Sequence, residues 1–119
     1  MAGISAEQIA DLAIPCEVQI APDGRRVIYR LRPLSKKDEH MSSALWLADL
    51  DSGQAPRQFT AGEAEDREPQ WSPDGRQIAF LSDRAQRGTA QLYLIDATGG
   101  EARALTSREH KPEPIRRHW

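Results

Sequence analysis

The sequence predicts an all-β chain made of two units of four short antiparallel strands, preceded by a short helix. Three observations carry that expectation. The first is internal repetition: Ala21-Pro22-Asp23-Gly24-Arg25-Arg26-Val27-Ile28-Tyr29 aligns with Ser72-Pro73-Asp74-Gly75-Arg76-Gln77-Ile78-Ala79-Phe80 at an offset of 51. Leu45-Trp46-Leu47-Ala48-Asp49 matches Leu92-Tyr93-Leu94-Ile95-Asp96, and Arg57-Gln58-Phe59-Thr60 matches Arg103-Ala104-Leu105-Thr106, at slightly smaller offsets. The second is turn chemistry, with Pro fixing φ at the second position of each turn and Gly free to take φ > 0 at its end. The third is that Ile78-Ala79-Phe80-Leu81 and Leu92-Tyr93-Leu94-Ile95 are continuous apolar runs, as strands covered on both faces are. A unit of roughly 40–50 residues built this way is the signature of a β-propeller blade.

The elements follow in order. Ser5-Ala6-Glu7-Gln8 reads as a capping box with Ile4 and Ile9 as its hydrophobic staple, opening a helix that Pro15 stops. Residues 1–15 therefore form a helical extension, with Ile9, Leu12 and Ala13 on one face. Blade 1 occupies 16–60, with strands at Glu17–Ile20, Val27–Leu31, Ala44–Asp49 and Arg57–Thr60. A polar insertion, Leu34 to Ser42, accounts for the shrinking offset and reads as a surface loop. Blade 2 occupies 61–106, with strands at Glu68–Trp71, Gln77–Ser82, Gln91–Ile95 and Ala102–Thr106. The remaining residues, 107–119, form a tail whose Trp119 falls close to the register of Trp71, the expected start of a third blade. Closed propellers use about four to eight blades. Two blades alone leave apolar faces uncovered, and association of copies through those faces is expected.

Composition narrows the function classes. Hydrophobic residues make up 39% and charged residues 29% of the 119, which excludes collagenous or wholly disordered chains. Sixteen Lys and Arg against eighteen Asp and Glu give a net charge of −2, with no basic excess for a phosphate backbone, so no nucleic-acid partner is expected. A single cysteine excludes an internal disulfide and a multi-cysteine metal site. No apolar stretch approaches a membrane span and the amino terminus has no signal-peptide character, so the expected setting is cytoplasmic, away from the membrane.

Each chemically capable residue has a structural reading that outweighs the functional one. His40, His110 and His118 lack metal-ligand spacing and read as solvated. Ser72 and Ser82 follow strands without a neighbouring histidine, which suits turn hydrogen bonding rather than nucleophilic work. Glu63, Glu65, Asp66 and Glu68 form an acidic run that could attract a peptide amino terminus, though a solvated connector is favoured. Asp83 and Arg84 are expected to pair within the blade. Trp46, Trp71 and Tyr93 read as core anchors, and Cys16 as a small buried thiol. No catalytic, cofactor-binding or metal-binding residue is assigned, and no cofactor is expected.

Trp71-Ser72-Pro73-Asp74-Gly75-Arg76-Gln77-Ile78-Ala79-Phe80-Leu81-Ser82-Asp83-Arg84 resembles the blade motif shared by TolB-type propellers and the propellers of prolyl-oligopeptidase-family serine peptidases. The order of capped helix, Ala21-Pro22-Asp23-Gly24, Ser43-Ala44-Leu45-Trp46-Leu47 and Arg57-Gln58-Phe59-Thr60 resembles the start of acylaminoacyl-peptidase and dipeptidyl-aminopeptidase-like members. The resemblance spans residues 4 to 106. It implies a propeller followed by an α/β-hydrolase domain carrying the catalytic serine, aspartate and histidine. This chain contains no G-x-S-x-G nucleophile elbow, so none of those residues carries over. The implied role is substrate gating in a peptidase whose catalysis lies elsewhere, the peptide meeting only the catalytic domain. The alternatives are a TolB-like, non-enzymatic binding propeller and a two-blade module that closes by oligomerisation.

Overall fold

The computed structural model describes residues 13–33 and 40–106. Eight strands run in chain order: β1 (Ala13–Ile20), β2 (Arg26–Pro33), β3 (Ala44–Asp49), β4 (Arg57–Gln58), β5 (Asp66–Trp71), β6 (Gln77–Ser82), β7 (Gln91–Asp96) and β8 (Arg103–Ala104). They form two four-stranded antiparallel sheets, β1-β2-β3-β4 and β5-β6-β7-β8, each a simple meander. This is the all-β, two-blade architecture that the repeat predicts.

The sequence dictates the hairpins locally. In each blade the turn after the innermost strand closes with the glycine N–H donating to the carbonyl three residues back, Gly24 to Ala21 and Gly75 to Ser72, both at 2.9 Å. Gly24 and Gly75 have φ of 72° and 71°, the left-handed conformation that a side chain disfavours. The outer strands are shorter than the expected Arg57–Thr60 and Ala102–Thr106. Their threonines explain this. Thr60 Oγ1 accepts the Leu45 N–H and Thr106 Oγ1 accepts the Leu92 N–H, both at 2.8 Å. A hydroxyl thus takes the place of a backbone carbonyl, and the ladder stops there.

The core lies between the sheets. Alternation on β2 and β3 turns Ile28, Leu45 and Leu47 toward the second blade, where they meet Trp71, Ile78, Phe80, Tyr93 and Ile95. Phe80 and Tyr93 are cross-strand partners with ring centroids 6.0 Å apart. Each large side chain buried here contributes about 1.5–3 kcal/mol. The opposite face of blade 2 carries a smaller buried cluster of Ala79, Leu92 and Leu94.

Three expectations are corrected. Ala13 to Pro15, assigned to a helical extension, belong to β1, with Ala13 opposite Pro33 and Pro15 opposite Leu31. Pairing along β2 outweighs the weak propensity of a short helix, and proline is tolerated because β1 is an edge strand. The rest of that extension and the tail lie outside the described residues. Trp46 is not a core anchor: Leu45 and Leu47 enter the core, so Trp46 points to the other face and is half-buried. Cys16 is likewise only half-buried, on the innermost strand.

The repeat supplies an internal control on burial. Ile20 and Trp71 are counterparts, yet Ile20 is 63% exposed and Trp71 6%. Truncating Trp71 to alanine should cost about 3–5 kcal/mol of unfolding free energy, whereas Ile20→Ala should cost under about 0.5 kcal/mol. Denaturant melts of the two variants check this. Equal losses would place the core somewhere other than between the sheets.

Candidate functional site at the blade junction

The chemically capable side chains of this chain converge where blade 2 meets blade 1. The turns come first. In blade 2 the Ser72 hydroxyl donates to Asp74 Oδ1 at 2.7 Å and accepts the Gln77 N–H at 3.0 Å, while Asp74 Oδ1 accepts the Arg76 N–H. The Ser72 hydroxyl, then the Arg76 N–H, hold the Asp74 carboxyl below its ordinary pKa. In blade 1 alanine replaces that serine. There Asp23 accepts the N–H groups of Arg25 and Arg26 and pairs with the Arg26 guanidinium at 2.9 Å, so its pKa is lowered too, chiefly by the Arg25 N–H. Arg26 then crosses the junction. Its Nη2 donates to the Gly75 carbonyl at 3.0 Å, and the guanidinium lies 4.7 Å from the centroid of the Trp71 ring.

The innermost strands carry a device that sequence patterning did not reveal. Register slips between Cys16 and Gln19 in β1 and between Arg67 and Gln70 in β5. At these bulges Glu17 and Glu68 both adopt φ of 52°. A non-glycine residue in this region costs about 1–2 kcal/mol, and the junction offsets that cost. The bulge turns the Glu68 N–H toward blade 1, where both Glu17 carboxylate oxygens accept it at 3.2 Å. Three residues on, Trp71 Nε1 donates to the Gln19 carbonyl at 3.0 Å. The repeat-equivalent residues Glu17 and Glu68 therefore clasp each other across the blades.

A buried arginine forms the next layer. Arg30 donates from Nε to Ser43 Oγ at 3.0 Å and from Nη2 to Glu65 Oε1 at 2.9 Å, with Nη1 3.4 Å from Glu17. The Ser43 hydroxyl donates to the Asp66 carbonyl at 2.7 Å, and Ser43 pairs in parallel with Glu65. The Asp66 carboxylate is buried and takes Arg84 Nη2 on both oxygens at 3.1 Å. The Arg84 plane sits 5.1 Å from the Phe80 centroid and 5.0 Å from that of Tyr93.

Arg84 thus pairs with Asp66 and with Ser82 Oγ, not with the Asp83 expected from sequence. Asp83 faces the interblade connector, accepting the N–H groups of Glu65 and Gly88, both at 2.8 Å. Arg87 Nε lies 3.1 Å from Asp83 as an ion pair without hydrogen-bond alignment. The same guanidinium donates to the carbonyls of Glu63 and Met41, locking the connector and the blade 1 loop together.

Of the sequence candidates, Glu65, Asp66, Glu68, Asp83, Arg84 and Trp71 lie at this junction, while Ser72 and Ser82 bond within blade 2. Glu68 pairs with Arg67. Glu63 is exposed and stands apart. His40 packs on the blade 2 loop, close enough that a Cβ at Gly88 would lie 2.9 Å from its ring. His110 and His118 lie outside the described residues. Arg26, Arg30, Arg87 and the Glu17 bulge were missed. The only signal for the bulge was the repetition of glutamate at an offset of 51. The Ser72 and Ser82 hydroxyls are committed to backbone and side-chain bonds within the blade. Among the described residues no group of three or more His, Cys, Asp and Glu side chains is arranged to hold a metal ion, and no helix is long and apolar enough to cross a membrane. The chemistry of this arrangement is adhesive: it joins one blade to the next.

Comparison with known proteins agrees with that geometry. The family described as TolB beta propeller domain matches residues 10–115. The uncharacterized peptidase YuxL of Bacillus subtilis is 38% identical over 103 residues, covering 87% of this chain and 15% of the relative. Dipeptidyl-peptidase 5 of Porphyromonas gingivalis is 30% identical over 89 residues, covering 75% of this chain and 13% of the relative. The structure of an acylaminoacyl peptidase from Pyrococcus horikoshii superposes with a TM-score of 0.61 at 21% identity, covering 82% of this chain and 14% of that one. The chain therefore spans about one seventh of the length of the curated relatives.

The junction should be sensitive to acid. Burial pushes the Asp83 carboxyl up, but the Gly88 and Glu65 N–H groups and the Arg87 guanidinium outweigh it, and its pKa lies below the ordinary 3.8. A depressed carboxylate contributes stability that is fully present above its unfolded pKa and lost as pH falls through the folded value. Unfolding free energy should therefore drop below about pH 4. Asp83→Asn should be less stable at pH 7 and show a flatter slope in that acid window, read from denaturant melts at several pH values. An unchanged slope would mean that Asp83 is not held as a carboxylate.

Proposed function

The chain belongs to the TolB beta propeller domain family, and from that premise we propose that it is the amino-terminal propeller portion of a serine peptidase. In this reading the chain gates access of peptides to a catalytic domain elsewhere in the parent protein and performs no catalysis itself. The observation that carries the proposal is the match to YuxL, which covers 87% of this chain at 38% identity but only 15% of a protein named as a peptidase. The match is thus to one part of a larger protein, and the fold of that part is a pair of blades.

The open side of blade 1 fits the same reading. Val18 and Ile20 are 56% and 63% exposed on β1. Their counterparts at an offset of 51, Pro69 and Trp71, are buried, Trp71 in the core between the two sheets. A neighbouring blade of the parent propeller would cover Ile20 and the adjacent Val18 as blade 1 covers Trp71. A cytoplasmic location belongs to the same proposal.

Two measurements test this reading. The chain should neither label with a fluorophosphonate serine-hydrolase probe nor cleave acylaminoacyl anilides, since acyl transfer needs an activated nucleophile and an oxyanion hole. The full-length parent protein should do both. Labelling of this chain at one serine, abolished by substituting it, would sink the proposal, as would a parent gene that encodes only blades. The latter outcome would favour a binding propeller of the TolB kind.

A further inference from the structure

Between the two blades, away from the inner-strand clasp, lies a cleft of about 510 Å³. That is within the range occupied by ligand sites. Phe59 from the end of blade 1 and Ile95 and Ala102 from blade 2 contribute apolar surface, and the Asp66–Arg84 pair lines it as well. Glu63, on the connector between the blades, and Glu101, on the β7–β8 turn, also line it. The acidic run divides sharply here. Glu65 is neutralised by Arg30, Asp66 by Arg84 and Glu68 by Arg67. Glu63 and Glu101 are exposed, and neither has a cationic partner among the described residues. Arg84 uses Nε on Ser82 and Nη2 on Asp66, which leaves Nη1 without an acceptor among the described residues.

We propose that this cleft binds an extended peptide segment through a lysine or arginine side chain flanked by apolar residues. The cation would sit between Glu63 and Glu101, an apolar neighbour against Phe59, Ile95 and Ala102, and a peptide carbonyl would accept from Arg84 Nη1. Apolar lining residues, two acids without a cationic partner and one spare donor match that partner. An acidic peptide would meet two uncompensated carboxylates, and a purely apolar one would leave them unanswered. The inference does not depend on where the parent's catalytic groups lie, because binding is measured on this chain alone.

Amide NMR titration of the chain with Ac-Leu-Lys-Leu-NH2 tests it. The expected result is saturable shifts confined to Gly62, Glu63, Gly100 and Ala102. Replacing lysine by norleucine should weaken binding up to about fivefold, the range of an exposed ion pair, and Ac-Leu-Glu-Leu-NH2 should bind more weakly still. Glu63→Gln and Glu101→Gln should each weaken the lysine peptide about two- to fivefold. Glu101→Lys should reverse the preference between the lysine and glutamate peptides. These residues are exposed, so an unchanged circular dichroism spectrum controls for folding. Shifts outside the cleft, equal affinity for lysine and norleucine peptides, or no shifts at millimolar peptide would each overturn the proposal. So would tight binding of the free-amine peptide H-Leu-Nle-Leu-NH2, which would assign the acids to an amino terminus instead.

Discussion

A four-stranded sheet of this size has two faces and cannot bury both by itself, so its stability depends on what lies against them. In this chain each blade is a meander formed by local hairpins, and most of its large buried side chains are covered where the two sheets meet. Ile28, Leu45 and Leu47 on one side and Ile78, Phe80 and Tyr93 on the other make up one core. Everything polar at the junction is arranged around that apolar contact. Arg26 lies on the Trp71 ring at one place, and Arg84 lies over Phe80 and Tyr93 at another, so guanidinium planes cover aromatic surface while their nitrogens reach carboxylates.

The polar groups decide which blade follows which. A buried ion pair adds little net stability compared with apolar packing, and its best-attested use is to fix register. Arg30 illustrates this. In the repeat its counterpart is Leu81, and the counterpart of its partner Ser43 is Ala90. The face that blade 1 turns to blade 2 therefore demands a partner bringing Glu65, while the corresponding face of blade 2, with Ala79, Leu92 and Leu94, demands only apolar surface. The two junction faces are chemically distinct although the blades are copies in outline.

How much of this was legible depended on the range of the interaction. Turns made by Pro-Asp-Gly, strands made by β-branched and aromatic runs, and the boundaries of β3 and β6 follow from residues next to one another, and the sequence shows them directly. Ala13 to Pro15 were misread because a helix stop and an edge-strand proline look alike until the partner strand is known. Trp46 was misplaced because alternation gives two faces without saying which one is covered. The Arg84–Asp66 pair joins positions 18 residues apart, one just past the end of β6 and one at the start of β5, so the adjacent Asp83 looked like the natural partner. The function of the acidic run was legible only in outline, since pairing removes three of its four members and sequence does not show pairing.

The Glu17–Glu68 clasp has a counterpart in how the chain comes together. Five of the bonds that cross the junction span nearly the same stretch of chain, 49 residues for Arg26 to Gly75, 51 for Glu68 to Glu17, 52 for Trp71 to Gln19, and 45 and 46 for Arg87 to Ser42 and Met41, while Arg30 to Glu65 and Ser43 to Asp66 span 35 and 23. Loop-closure entropy depends on the length of chain enclosed and grows slowly with it. Contacts of almost equal span close one loop rather than several, so the first bond to form incurs most of the entropic cost and the others follow at little extra. Hairpins of short contact order assemble each blade first, and docking then adds its bonds as a group. A fold built from repeated units thus turns many long-range contacts into a single search.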